Sequence, residues 1–207
     1  MDNIGLYNGK MGIVLFFAHL ANYTRKDIYN DFASKLLDEI YGEIHIDTPI
    51  NFKDGLCGIG WGIEYLLHYR FLEGDSNEIL ASIDEKIMER NPLRIKDESI
   101  ETGKNGILYY ILTRLISYNR PKNDIPFDID YLNNWIFILN QEEKETTNIL
   151  TQSFLKWMKN EEINLNLQNF LITNIIKSNE IYDEEFIYLS YGLVNGSAGI
   201  GIKNMLL

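Results

Sequence analysis

The chain has 207 residues, 45 % of them hydrophobic and 24 % charged, and a formal net charge of −11. That acidity excludes DNA, RNA and an anionic membrane surface as partners held by charge, because phosphate binding needs a basic face. One cysteine, Cys57, excludes an internal disulfide, and a chain of this length buries a core without one.

Residues 5–13 read GLYNGKMGI and lead into an apolar run, Met11 to Tyr23. The run is too short to cross a bilayer. Its flank, MDNIGLYNGK, carries one Lys and one Asp, and its glycines recur further on, so it reads as a folded helix rather than a signal peptide. An amphipathic run follows at 24–44, with Ile28, Phe32, Leu36 and Ile40 on one face and charges on the other. GLCGIGWGI (55–63) opens a second apolar run, Trp61 to Leu72, and SNEILASIDEKIMERN (76–91) a second amphipathic one. ETGKNGI (101–107) leads into Ile107 to Tyr118, and then FDIDYLNNWIFILN (127–140). The run Ile149 to Met158 has no glycines; 166–179 is amphipathic, and GLVNGSAGI (192–200) begins the last run.

Aligned on the Gly-Ile pairs at Gly12, Gly62, Gly106 and Gly199, the copies stand 50, 44 and 93 residues apart. The last step is about twice the others, so a degenerate copy is expected near 152. Helix-period runs, apolar and amphipathic by turns, predict an all-α fold with a single domain over 1–207. The arrangement expected is an α/α toroid of about five helical hairpins, apolar helices inside and amphipathic ones outside. A curved solenoid explains the same repeat. The glycines Gly9, Gly12, Gly55, Gly62, Gly103, Gly106, Gly196 and Gly199 are expected to be structural, letting neighbouring inner helices approach at one end. The other reading is an anion cradle at the helix starts, though no copy continues as GK[ST] and GIGWG (58–62) follows no strand.

The repeated GLxxGxxGI word before an apolar helix resembles the lanthionine synthetase C-like (LanC-like) family, in its divergent bacterial branch. The resemblance implies an α/α toroid with about seven hairpins in the family. It also implies a zinc ion, held by two Cys and one His, that activates a precursor-peptide thiolate for addition to a dehydrated Ser or Thr. Two of those ligands stand as Cys-His directly before a motif glycine, and the other Cys in Trp-Cys-x-Gly. Here the slot holds Tyr7-Asn8, Glu101-Thr102 and Val194-Asn195, with Cys57-Gly58 in the second copy, and Trp-Cys-x-Gly is missing. One Cys cannot fill a two-Cys site, so no metal and no cofactor are expected. With five units, the ring is expected to be partial.

Candidate residues follow. Cys57 reads as a packer or, at a helix start, as a nucleophile. Asp54 and Glu101, with Glu64 nearby, read as helix-start partners or as a carboxylate pair of glycosidase type. Tyr7, Trp61 and Tyr191 flank three motifs and are expected at one ring face, where, with Asn8 and Asn195, they make a ligand-binding set. His19 and His68 fall late in two inner helices, too far along the axis from Cys57 to share an ion. The expected protein is cytoplasmic and non-catalytic. It binds a peptide or a partner enzyme in modified-peptide maturation. The alternatives are a carboxylate-based toroid enzyme such as a glycosidase, or an assembly module. Any catalysis implied by the resemblance is that of a cyclase, and a homo-oligomer is a further possibility.

Overall fold

Each glycine word contains an extended glycine followed at once by a helix. In a computed structural model that describes residues 3–116, 124–142, 149–176 and 190–207, the four helices that follow glycine words are α1 (Lys10–Thr24), α3 (Leu56–His68), α5 (Lys104–Leu115) and α9 (Ser197–Leu206). Between them lie α2 (Asp27–Glu43), α4 (Ser76–Met88), α6 (Ile129–Glu142), α7 (Ile149–Met158) and α8 (Leu167–Phe170), which continues as a π-helical turn, Leu171–Ile176. A 3-10 turn spans Pro92–Arg94. No strand forms among the described residues beyond a single bridge, Ser190 to Gly196.

The order of packing gives the architecture. Helix α9 lies against α1, α1 against α3, α3 against α5, and α5 against α7. Helices α2 and α4 pack on α1 and α3. The protein is thus all-α, an α/α toroid-type array of hairpins, and one buried core runs from Leu6 to Ile202. Burial separates the two layers. Every residue from Leu56 to Leu66 of α3 is buried, as is every residue from Gly106 to Leu115 of α5. Helix α2 buries only Ala33 and Ile40. Of its expected apolar stripe, Ile28 (68 % exposed) and Phe32 (44 %) stay in solvent; Phe32 leans on Phe17 of α1, with ring centroids 4.5 Å apart.

The segment 166–179, read from its sequence as an outer helix, reaches inward instead. Phe170 stacks on Tyr109 of α5 at 3.6 Å and packs against Trp61 of α3 and against Phe52. The π turn beyond it packs on α9. Trp61, Tyr65 and Tyr109 are at most 1 % exposed, so aromatic rings fill the space between these helices. Burying a ring of this size contributes roughly 1.5–3 kcal/mol, which outweighs an amphipathic pattern that only hints at an outer position. Residues 177–179 of that run lie outside the described residues, as does the start of the degenerate repeat before Ile149.

Candidate functional site

The four glycine words build one face. Their cap glycines are Gly9, Gly55, Gly103 and Gly196. Seven residues before each helix start, a carbonyl accepts the first helical amide: Asn3 from Lys10, Pro49 from Leu56, Asp97 from Lys104 and Ser190 from Ser197, all at 2.8–2.9 Å. A side chain on Gly103 would meet the Asp97 carbonyl well inside 3.0 Å, and one on Gly55 the Pro49 carbonyl. The first amides are therefore used within the loops, which answers the anion-cradle reading: these helix starts offer fewer free N–H groups than their sequence suggests.

This equivalence corrects the alignment of the second copy. The glycine three residues beyond each cap is Gly12, Gly58, Gly106 or Gly199, and in each a Cβ would strike the carbonyl three residues before the cap: Leu6, Phe52, Ile100 or Leu193. Gly62 is not in that set; a Cβ there would meet the Met11 side chain across the α1–α3 contact. The caps are then 46, 48 and 93 residues apart (9 to 55, 55 to 103, 103 to 196), a more even repeat. The slot in the second copy becomes Lys53-Asp54, and Cys57 moves two residues into α3.

The loops are laced together by backbone hydrogen bonds between equivalent residues. Leu193 and Val194 donate to the Tyr7 carbonyl, Leu6 and Tyr7 to that of Lys53, and Lys53 to that of Glu101. The Asn8 carboxamide, with its nitrogen turned to the loop, donates to Tyr7 O (3.0 Å) and Val194 O (3.2 Å). The slot side chains along this ladder are therefore Tyr7-Asn8, Lys53-Asp54, Glu101-Thr102 and Val194-Asn195. They offer a phenol, amides, an ammonium, carboxylates and a hydroxyl. None is a thiolate or an imidazole, so they do not fit the two-Cys, one-His zinc set that the resemblance implies. Among the described residues no group of three His, Cys, Asp or Glu stands close enough to hold a metal ion.

The candidates separate. Tyr7 (3 % exposed) and Trp61 (0 %) are core residues, joined through Phe52; Tyr191 is 74 % exposed. They do not share a face. Asn8 and Asn195 are exposed, the latter at φ 50°. Burial, and after it the Glu101 charge, pushes the Tyr7 phenol up, away from ionisation. Asp54 accepts from Asn3 Nδ2 at 3.1 Å and lines an outer hollow with Glu43 and His45. The Glu101 charge acts on Tyr7. Cys57 is fully buried, and burial, with Asp84 second, pushes its thiol well above the ordinary range. The helix start does not activate it, because burial outweighs the dipole. His19 is 7 % exposed and bonded through Nε2 to the Tyr65 hydroxyl at 2.9 Å.

One constellation escapes the sequence. Arg114 of α5 is fully buried. It donates to Glu64 of α3 (2.9 Å), to Asp84 of α4 (2.6 and 3.0 Å), to Ser76 Oγ (3.0 Å) and to Asn77 Oδ1 (3.2 Å). Tyr110 donates to Asp84 at 2.6 Å. Three helices are locked by one guanidinium whose fork geometry suits several acceptors at once. Glu64, weighed as a carboxylate of a catalytic pair, is a member of this network.

Compared with known proteins, residues 1–155 match a family model described as lanthionine synthetase C-like protein. No match was found among curated proteins or among solved structures. No helix among the described residues is long and apolar enough to cross a membrane.

Proposed function

Because the chain belongs to the lanthionine synthetase C-like family, we propose that it serves peptide maturation without zinc and without catalysis, by binding a peptide or a partner enzyme. The observation that carries this reading is the content of the ladder slots. Four equivalent positions supply no sulfur and no imidazole, and the one thiol in the chain is sealed in α3 beside Asp84. A thiolate-activating metal needs three suitable ligands around an open position. The arrangement favours binding over bond formation, and a bacterial cytoplasm is the setting proposed for it.

The test uses a peptide carrying one cysteine and one dehydrated serine. Thioether formation adds the thiol across the double bond, so mass is unchanged and one alkylatable thiol disappears. The expected result is saturable binding by calorimetry, no thiol loss above the protein-free rate, and no stoichiometric zinc in the purified protein. Zinc held through Cys57, together with accelerated thiol loss, would overturn the reading.

A further inference from the structure

A second surface, away from the glycine loops, has the form of a peptide anchor. A cleft of about 260 Å³ opens between the end of α5, the start of α6 and the end of α7. Its walls include Ile125, Ile129, Leu132 and Trp157, and its charged lining residues are Asp124 and Glu161. Ligand pockets for whole small molecules run from roughly 300 to 1,000 Å³; this one is nearer the size of one bulky side chain.

The Asp124 carboxylate and the Glu161 backbone are held in place. Asn77 Nδ2 donates to Asp124, and Asn77 also accepts from Arg114, so the rim is tied to the buried network. At the other side, α7 ends in a closed turn. Asn160 adopts φ 58°, and the amides of Asn160 and Glu161 return to the carbonyls of Trp157 and Lys156 at 2.9 and 3.0 Å. The apolar edge is open: Ile129 is 60 % exposed and Ile125 40 %. No basic residue lines the cleft among the described residues.

Apolar walls with an anionic rim complement one kind of occupant. We propose that this cleft docks a linear peptide segment in which one bulky apolar side chain is flanked by lysine or arginine. The apolar side chain fills the pocket, and the flanking cations meet Asp124 and Glu161. Rim charges then set salt dependence and encounter rate, while the buried anchor sets residence time. This rests on the peptide-binding reading and names the chemistry of the peptide.

The probe is the hexapeptide Lys-Lys-Phe-Leu-Lys-Lys, capped at both ends, with Glu-Glu-Phe-Leu-Glu-Glu and Lys-Lys-Ser-Ser-Lys-Lys as comparators. Trp61 and Trp135 are fully buried, so a blue shift in emission reports Trp157, and Trp157→Phe removes it. Ile129→Lys puts a cation in the cleft. Phe137→Lys makes the same charge change at another exposed position of α6 (56 % exposed), about 12 Å further along the axis. Matched urea midpoints establish that both fold. The expected outcome is binding of the first peptide alone, weakened about tenfold or more by Ile129→Lys and less than about twofold by Phe137→Lys. Equal weakening by both, or equal binding of the acidic peptide, overturns the cleft while peptide binding elsewhere stands. No binding of the first peptide to the unaltered protein also overturns it. The dehydrated-peptide titration then decides the broader reading separately.

Discussion

The amide of Leu193 donates to the carbonyl of Tyr7 at 2.7 Å, and so fastens the last glycine word to the first. The same Tyr7 carbonyl takes the Val194 amide, and the Tyr7 amide goes to Lys53. Each loop is held by its neighbours rather than by its own hairpin alone. Backbone groups buried in such loops must find partners, and only loops of equal shape can supply them in register. The repeat therefore fixes a shape, which glycine permits by letting a helix start press on the preceding turn.

That shape predicts a contrast between two Gly→Ala changes. In Gly106→Ala the new methyl would stand well inside 3.0 Å of the Ile100 carbonyl and of Phe52 Cβ. Neither backbone nor a fully buried ring can yield cheaply, and a loss of about 2–4 kcal/mol is expected. Gly42 lies within α2 with nothing near its missing Cβ. Gly42→Ala should leave stability unchanged or raise it by up to about 1 kcal/mol. Urea unfolding of both proteins measures the pair; a Gly106→Ala protein as stable as the parent would refute the close-packed ladder.

The Arg114 network predicts a large, one-sided penalty. Arg114→Met leaves Glu64 and Asp84 buried without their cation. Breaking a buried pair by removing one partner costs about 3–5 kcal/mol. Adding Glu64→Gln and Asp84→Asn to the same protein removes the stranded charges and should recover part of the loss. Denaturant midpoints across the single and triple variants give the answer. Full stability in Arg114→Met alone would show that the network holds nothing together.

How much of this could be read from the sequence depended on the range of the interaction. The layers are legible, because burial of α3 and α5 on most faces shows in predominantly apolar runs, broken by Glu64 in α3 and by Thr113 and Arg114 in α5, while α2 shows its polar face. The register of the second word is not. GIGWGI holds two Gly-Ile pairs four residues apart, Gly58-Ile59 and Gly62-Ile63, which lie on nearly one helix face. Only the position of the cap at Gly55 separates them. Arg114 was illegible for a different reason: its partners Asp84 and Glu64 are 30 and 50 residues away, and a lone cation on a helix reads as solvated. Phe170 likewise gave no local sign that it would stack on Tyr109.

Cys57 tests the interior of the network by chemistry. Its thiol is fully buried and pushed up by desolvation, then by Asp84. Thiol reagents attack the thiolate, and only when they can reach it. At pH 8 the folded protein should react with a disulfide reagent at least about a hundredfold more slowly than the urea-unfolded chain, which should yield one thiol. Rapid reaction in the folded state would show an open, activated cysteine and would reopen the nucleophile reading.

His19 adds to the acid sensitivity of the fold. Burial pulls its pKa from 6.5 down to about 4. With Nε2 unprotonated, the Tyr65 hydroxyl donates to it at 2.9 Å, while Phe71 closes one side, ring centroids 4.9 Å apart. Tyr65 is itself pushed up by burial, and next by Tyr69, so it stays a donor. Between pH 6.5 and about 4 the unfolded chain binds a proton at this position that the folded chain refuses. Stability from His19 is thus fully present above pH 6.5 and is lost as pH falls toward 4, by about 2–3 kcal/mol across the window. His19→Gln keeps a hydrogen-bonding group without the titration. Urea midpoints at pH 7.5 and 5.0 should fall more steeply for the parent than for His19→Gln, with the carboxylates common to both. Parallel declines would mean that His19 takes up its proton in the folded state as readily as in the unfolded one.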